Sequence, residues 1–206
     1  MTRAIFNARI LANMVLLLAG LSSGCAGRHP YAKHQFVLEA SRPAESAGKK
    51  CDVALAVRNF TVDPVCDCRG MLYRKGQAEY ESDFYNEFLI APQILISTQT
   101  RNWLARSGRF RTVLEPGSLV EATHILEGNV LALYGDFRGE GVPQAVMQIR
   151  VFVVANRNSG AEVVFSRDYQ VSHRADERTA ESLVTAFNRC LEQMLTDLEK
   201  DLGETL

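Results

Sequence analysis

The chain has 206 residues, with 23 Lys and Arg against 24 Asp and Glu, and a formal net charge of −1. A near-neutral chain with no basic stripe offers no electrostatic case for nucleic acid and no strong attraction to anionic headgroups. Its length allows one ordinary domain with a buried core behind a leader and a tail.

The leader comes first. Arg3 and Arg9 precede the apolar run from Ile10 to Leu21, and Ser22, Ser23, Gly24 and Cys25 follow. A positive start, a short apolar stretch and small residues predict a secretory signal over 1–24. The run falls short of the roughly 20 apolar residues of a membrane span. The Ser22–Cys25 stretch resembles the lipobox of bacterial lipoproteins, with Ser22 in the slot where Leu is commonest and Leu21 one place earlier. That resemblance implies that Cys25 is acylated and becomes the new first residue. An ordinary signal peptide that ends near a cysteine is the other reading. Each buried methylene contributes about 0.8 kcal/mol, so more than one acyl chain, such as palmitate, gives durable anchoring. Ala26, where an Asp would resemble a retention signal, leans towards the periplasmic face of the outer membrane; inner-membrane anchoring stays open. Residues 25–33 are polar, with a Gly and a Pro, and read as a lipidated tether.

A domain is expected over 34–203. His34–Glu39 is a short strand, and 40–50 has little to bury and reads as a loop. Val53, Leu55 and Val57 alternate with small or polar neighbours and predict a strand over 52–60. Turn chemistry fills 61–70. Met71–Lys75 and Ala78–Ser82 form a hairpin, and an aromatic segment follows at 84–89. Pro92 opens a helix to Ser107, with Ile96, Trp103 and Leu104 near helical spacing and Arg101 and Arg106 turned elsewhere; Gly108 stops it. A strand at 109–114 precedes Pro116-Gly117. Strands at 123–134, 145–155 and 162–172 form an antiparallel meander with Gly- and Asn-rich turns. Leu183, Phe187, Leu191, Leu195, Leu198 and Leu202 make a stripe along a helix over 177–202. That stripe either caps the sheet or is shared with a partner chain, which leaves a homo-oligomer open. The sum is an α+β two-layer sandwich: a mixed, mostly antiparallel sheet with two helices packed on one face. The other face, more polar, is available for docking.

Four cysteines remain beyond Cys25. Cys51, Cys66, Cys68 and Cys190 sit in an exported chain, where disulfides are permitted. A disulfide from Cys51 to Cys66 or Cys68, a metal site at Cys66-Asp67-Cys68, and plain thiols all fit the sequence. The metal reading lacks a nearby His and the usual CxxC spacing. His29, His34, His124 and His173 form no ligand or catalytic pattern, and no nucleophile elbow, P-loop or dinucleotide fingerprint occurs. The expectation is therefore a protein that is not an enzyme and carries no cofactor.

Several stretches in order resemble the ABC-type transport auxiliary lipoprotein family, with its PqiC/YmbA-like members. They are Phe36–Glu39, Arg69–Arg74, Tyr80–Phe88 followed by Pro92, Trp103-Leu104, Gly108, Phe110, Glu127-Gly128 and the final amphipathic helix. The cysteines at 66 and 68 have no counterpart in that pattern. The resemblance implies a membrane-anchored periplasmic accessory of an ABC/MCE-type transport system that moves lipids or other hydrophobic molecules between the inner and outer membranes. Its partners would be an MCE-domain protein and an ABC permease complex, with the 80–88 segment either core or docking surface. The alternatives are an outer-membrane assembly or pilotin-like lipoprotein without a transporter, and a periplasmic lipid-binding module.

Overall fold

A computed structural model of the chain describes residues 32–43, 50–157 and 160–206. The signal at 1–24, Cys25, His29 and most of the tether lie outside these residues. Lys33–Leu206 forms one compact unit with its own core. The strands are β1 (His34–Phe36), β2 (Cys51–Val57), β3 (Thr61–Val62), β4 (Gly70–Arg74), β5 (Tyr80–Phe88), β6 (Phe110–Leu114), β7 (His124–Asp136), β8 (Gln144–Arg157) and β9 (Gly160–Arg174). The helices are α1 (Pro92–Arg106) and α2 (Ala180–Thr205).

All these strands share one sheet, and β7 is its axis. Along one edge β7 pairs antiparallel with β8, which pairs antiparallel with β9. Along the other edge β2, β3 and β4 take successive thirds of β7, each parallel to it. Beyond them β6 lies parallel to β2, β5 antiparallel to β4, and β1 parallel to β5. The antiparallel ladders hold most of the paired residues and the parallel junctions are short. The expected α+β two-layer sandwich, with both helices on one face, is what forms. The long alternating strands explain it: Met147, Ile149, Val151 and Val153 are fully buried on β8, with Gln148 and Arg150 on the other side.

The stripe on α2 is spent inside the chain. Leu183, Phe187, Leu191, Leu195, Leu198 and Leu202 are all buried against the sheet, so the stripe is not left for a partner helix. The helix starts at Ala180, three residues later than expected, because the Thr179 side chain caps it by accepting from the Ser182 amide. Tyr169 and Arg167 of β9 both reach Asp201 on α2.

Gly128 on β7 lies under the ring of Phe60; a Cβ there would come within 2.6 Å of that ring. This contact is the physical reason for glycine in the Glu127-Gly128 stretch.

The segment after β1, expected as a loop with little to bury, is laid along α2. The Glu39 amide donates to Asn188, the Ser41 amide to Glu192, and Arg42 to Glu199. Glu199 is 6% exposed and collects four bonds. Arg42 donates from Nε and Nη2 at 3.1 and 2.9 Å, Arg109 from Nε at 3.3 Å, and Trp103 from its indole at 2.8 Å. Burial alone would raise its pKa, but Arg42, Trp103 and Arg109 outweigh that and hold it below the usual carboxylate range.

Glu199→Gln strands two guanidiniums in a largely buried node. The expected loss is about 3–5 kcal/mol of unfolding free energy, read by urea denaturation. A loss well under 1 kcal/mol would show that both arginines find water and that the node is dispensable.

Candidate docking surface

The stretch Tyr80–Phe88 is one strand: its first part is the expected hairpin arm, paired antiparallel with β4, and it runs on through the aromatic segment to Phe88. Its pairing with β4 jumps from Ser82↔Leu72 to Glu87↔Gly70, so residues 83–86 bulge out of the ladder. Asp83 builds the bulge. Its carboxylate accepts from the amides of Tyr85 and Asn86 at 2.7 and 3.0 Å, the Asn86 side chain at 2.7 Å and the Tyr73 hydroxyl at 2.8 Å. Gly70 opposite has no room for a side chain: a Cβ would strike the Ser82 hydroxyl and sit 2.7 Å from the Asp83 carbonyl.

The bulge pushes aromatic surface outward. Phe84 is 68% exposed and Tyr85 44%, with ring centroids 5.3 Å apart, edge to face. Lys33, just before β1, places its ammonium 4.7 Å from the Phe84 ring. Leu89 and Ile90 at the exit of β5 and Val37 at the exit of β1 are also exposed. Phe88 alone of the three phenylalanine and tyrosine side chains at 84–88 turns into the core. The segment is thus mostly surface. A pair of exposed aromatics held on a hydrogen-bonded bulge is a candidate contact surface, since lone exposed hydrophobics are ordinary but a built aromatic pair is not.

Electrostatics around the bulge are settled by hydrogen bonds. Burial would raise the Asp83 pKa, but bonds from Asn86, Tyr73 and the two amides hold it below the usual range; burial and the bond to Asp83 push the Tyr73 hydroxyl up. Glu87 receives Gln35, Lys33 and Arg69, which fastens β1 to β5. The uncovered face of the sheet is mixed in character. Arg150 and Asp168 pair twice, at 2.6 and 2.7 Å, beside the half-buried Val146, Phe152 and Val154.

The cysteines do not converge. Cys51, Cys66, Cys68 and Cys190 are all free thiols. Cys51 starts β2 beside Phe110, ahead of the β7 start, while Cys66 lies in a short 3-10 turn (Pro64–Cys66) beside Leu131. The register separates them by roughly 30 Å along β7, far beyond the ~7 Å Cα limit of a disulfide, so the expected bridge from Cys51 to Cys66 or Cys68 does not form. Burial pushes the Cys190 thiol up to about 12 and raises that of Cys66, so neither is a thiolate at neutral pH. Among the described residues no group of three His, Cys, Asp or Glu side chains is placed to hold a metal. His34 is exposed on β1, His124 starts β7 with its pKa lowered by burial, and His173 meets Gln193 at 2.9 Å.

No family model and no curated protein sequence matches the chain. Solved structures do resemble it. Protein XCC0632 from Xanthomonas campestris, described under the family DUF330, superposes with a TM-score of 0.70 at 17% identity, over 85% of this chain and 94% of its own. An uncharacterized protein of known crystal structure gives 0.62 at 11% identity, over 83% and 99%. The hypothetical protein CT253 from Chlamydia trachomatis gives 0.52 at 10%, over 75% and 98%. At such identities the likeness is one of fold, and it spans nearly the whole of each neighbour.

The carboxylate that organises the bulge sets a pH dependence. Its folded pKa lies below the unfolded value of ~3.9, so its contribution is full above that value and is lost as pH falls through the lower folded one. Asp83→Asn should therefore flatten the acid limb of the stability curve. An acid limb identical to that of the parent would show that the bulge does not depend on the charge.

Proposed function

We propose that the chain is a membrane-anchored periplasmic lipoprotein, an accessory of an ABC/MCE-type transport system that moves lipids or hydrophobic molecules between inner and outer membranes. Acyl chains on Cys25 would fix one end at the periplasmic face of the outer membrane. Residues 26–33 between lipid and domain span at most about 28 Å when extended, so the domain stays close to its membrane. The domain works by holding an MCE-domain protein and, through it, the permease complex; it performs no chemistry of its own. The observation that carries the reading is the Phe84/Tyr85 bulge. It is hydrogen-bonded in place by Asp83, exposed and aromatic, and it lies within the stretch that gives the sequence its resemblance to the auxiliary lipoproteins. The signal and lipobox-like Cys25 support the anchor, and the fold shared with the DUF330 protein is compatible with it.

Two measurements test this. Cys25→Ala should move the protein from the membrane fraction to the soluble periplasmic fraction; unchanged membrane attachment would remove the anchor from the reading. Capture in mild detergent should bring down an MCE-domain protein, and Phe84→Ser with Tyr85→Ser should cut that capture at least about fivefold without lowering the melting temperature, since both side chains are on the surface. Capture of β-barrel assembly factors alone would favour the pilotin-like alternative.

A further inference from the structure

Arg101 is out of place. It lies in the third turn of α1, on the side turned to the protein, and is only 6% exposed. Its Nε is buried without a hydrogen-bond partner, and among the described residues its guanidinium forms no ion pair. A buried cation with no partner is costly, because the water it lost has not been replaced. The other buried charge of the domain, Glu199, is surrounded by donors; Arg101 has only a cavity.

That cavity measures about 320 Å³ and opens beyond the C-terminal ends of the parallel strands β2 and β6. Arg101 forms part of its wall together with Val57, Leu114, Pro116, Val120 and Ala122, which are apolar. Its outer side is the exposed loop 115–122, where Leu119 is fully exposed and Val120 is 56% exposed at the rim. The loop turns at Gly117, whose φ of +82° suits glycine alone. A partly apolar wall that carries one unpartnered buried charge, bordered by a loop with apolar side chains in water, has the makings of a small-molecule site.

We propose that this cavity binds a monocarboxylate with a short apolar tail, its carboxylate held by the Arg101 guanidinium. The charge inventory selects the ligand. A guanidinium fork matches a carboxylate by two parallel hydrogen bonds. The remaining charges on the wall are Arg58, already paired with Glu127, and Glu115, which forms no ion pair with Arg101. One free cation beside one acid suits a single negative charge and disfavours a dianionic phosphate monoester. The apolar part of the wall and Val120 at its rim favour a tail over a bare acetate. The inference does not depend on the transport reading, since it uses only the domain.

Calorimetric titration of the Lys33–Leu206 chain, which is a compact unit with its own core, tests it with sodium octanoate, acetate, octanol and octyl phosphate as probes. Octanoate should bind, and acetate, octanol and octyl phosphate should each bind at least about tenfold more weakly. Arg101→Met keeps the buried stem and removes the charge; it should weaken octanoate at least tenfold and leave the melting temperature unchanged or higher, because an unpartnered charge has gone. Val120→Glu, on the exposed rim, should weaken octanoate through repulsion, and Glu115→Gln should strengthen it. Octanol or octyl phosphate binding as tightly as octanoate would overturn the proposal. So would octanoate affinity that is unmoved in both Arg101→Met and Val120→Glu, or no octanoate binding at all.

Discussion

The Glu199 carboxylate is the point at which separate parts of the chain are fastened. Its donors come from the segment after β1, from α1 and from the residue before β6, while the carboxylate itself belongs to α2. Without it, α1 and α2 would share a hydrophobic contact but no fixed angle, since hydrophobic burial is not directional. With it, the indole of Trp103, the guanidinium of Arg42 and that of Arg109 each have one geometry. Gly203, one turn further along α2, leaves the space that Arg109 crosses; a Cβ there would run into its guanidinium. The stability of the node comes from complete partnering: removing one member exposes the desolvation cost of the others.

For the anchored protein proposed above, this fastening has a mechanical consequence. A strand of three residues such as β1 holds little load by its own ladder. The chain on its far side is bonded to α2 at Asn188, Glu192 and Glu199, three positions on one side of that helix. On its near side Lys33 and Gln35 reach Glu87. Tension arriving from the N-terminus therefore meets β5 first and the longest helix next, and the load passes into the core without peeling the edge strand. The Phe84/Tyr85 bulge sits beside this same attachment, next to Lys33 and on the strand that β1 pairs with.

Much of the architecture was legible in the sequence, and the reason differs by element. β8 and α2 declare themselves by strict alternation and by a leucine stripe, because each buries one face and leaves the other in water. The antiparallel meander follows from turn residues between them. The parallel use of one edge of β7 by β2, β3 and β4 was not legible, since pairing partners distant in sequence leave no local pattern. Nor was the bulge, though Asp83 and Gly70 are its signature once the structure shows their contact: an acid that caps two amides, opposite a residue with no side chain. The sequence leaves the cysteines open between a bridge, a metal site and plain thiols; the register decides for plain thiols by keeping Cys51 far from Cys66 and Cys68. Arg101 falls outside the apolar spacing of α1 and Glu199 outside the leucine stripe of α2, so neither shows its burial in the sequence. Charge by itself carries no mark of burial; only the packing of α1 and α2 against the sheet decides it.

Those two buried charges also show how the domain divides its work. Both sit at the helix-covered face, yet one is saturated with partners and the other has none, and the difference follows from position. Glu199 lies where three chain segments cross, so donors arrive from every side. Arg101 lies at an opening in the layer, beyond the ends of β2 and β6, where a loop replaces a strand. The aromatic bulge lies on β5, beyond β4, which pairs with the far end of β7 at Gly135–Asp136, whereas the Arg101 cavity flanks the start of β7 at His124–Leu126. The proposed docking surface and the proposed anion cavity are thereby kept apart along one strand. Occupancy of the second need not obstruct the first, and any coupling between them would have to run through β7 and the helices packed on it.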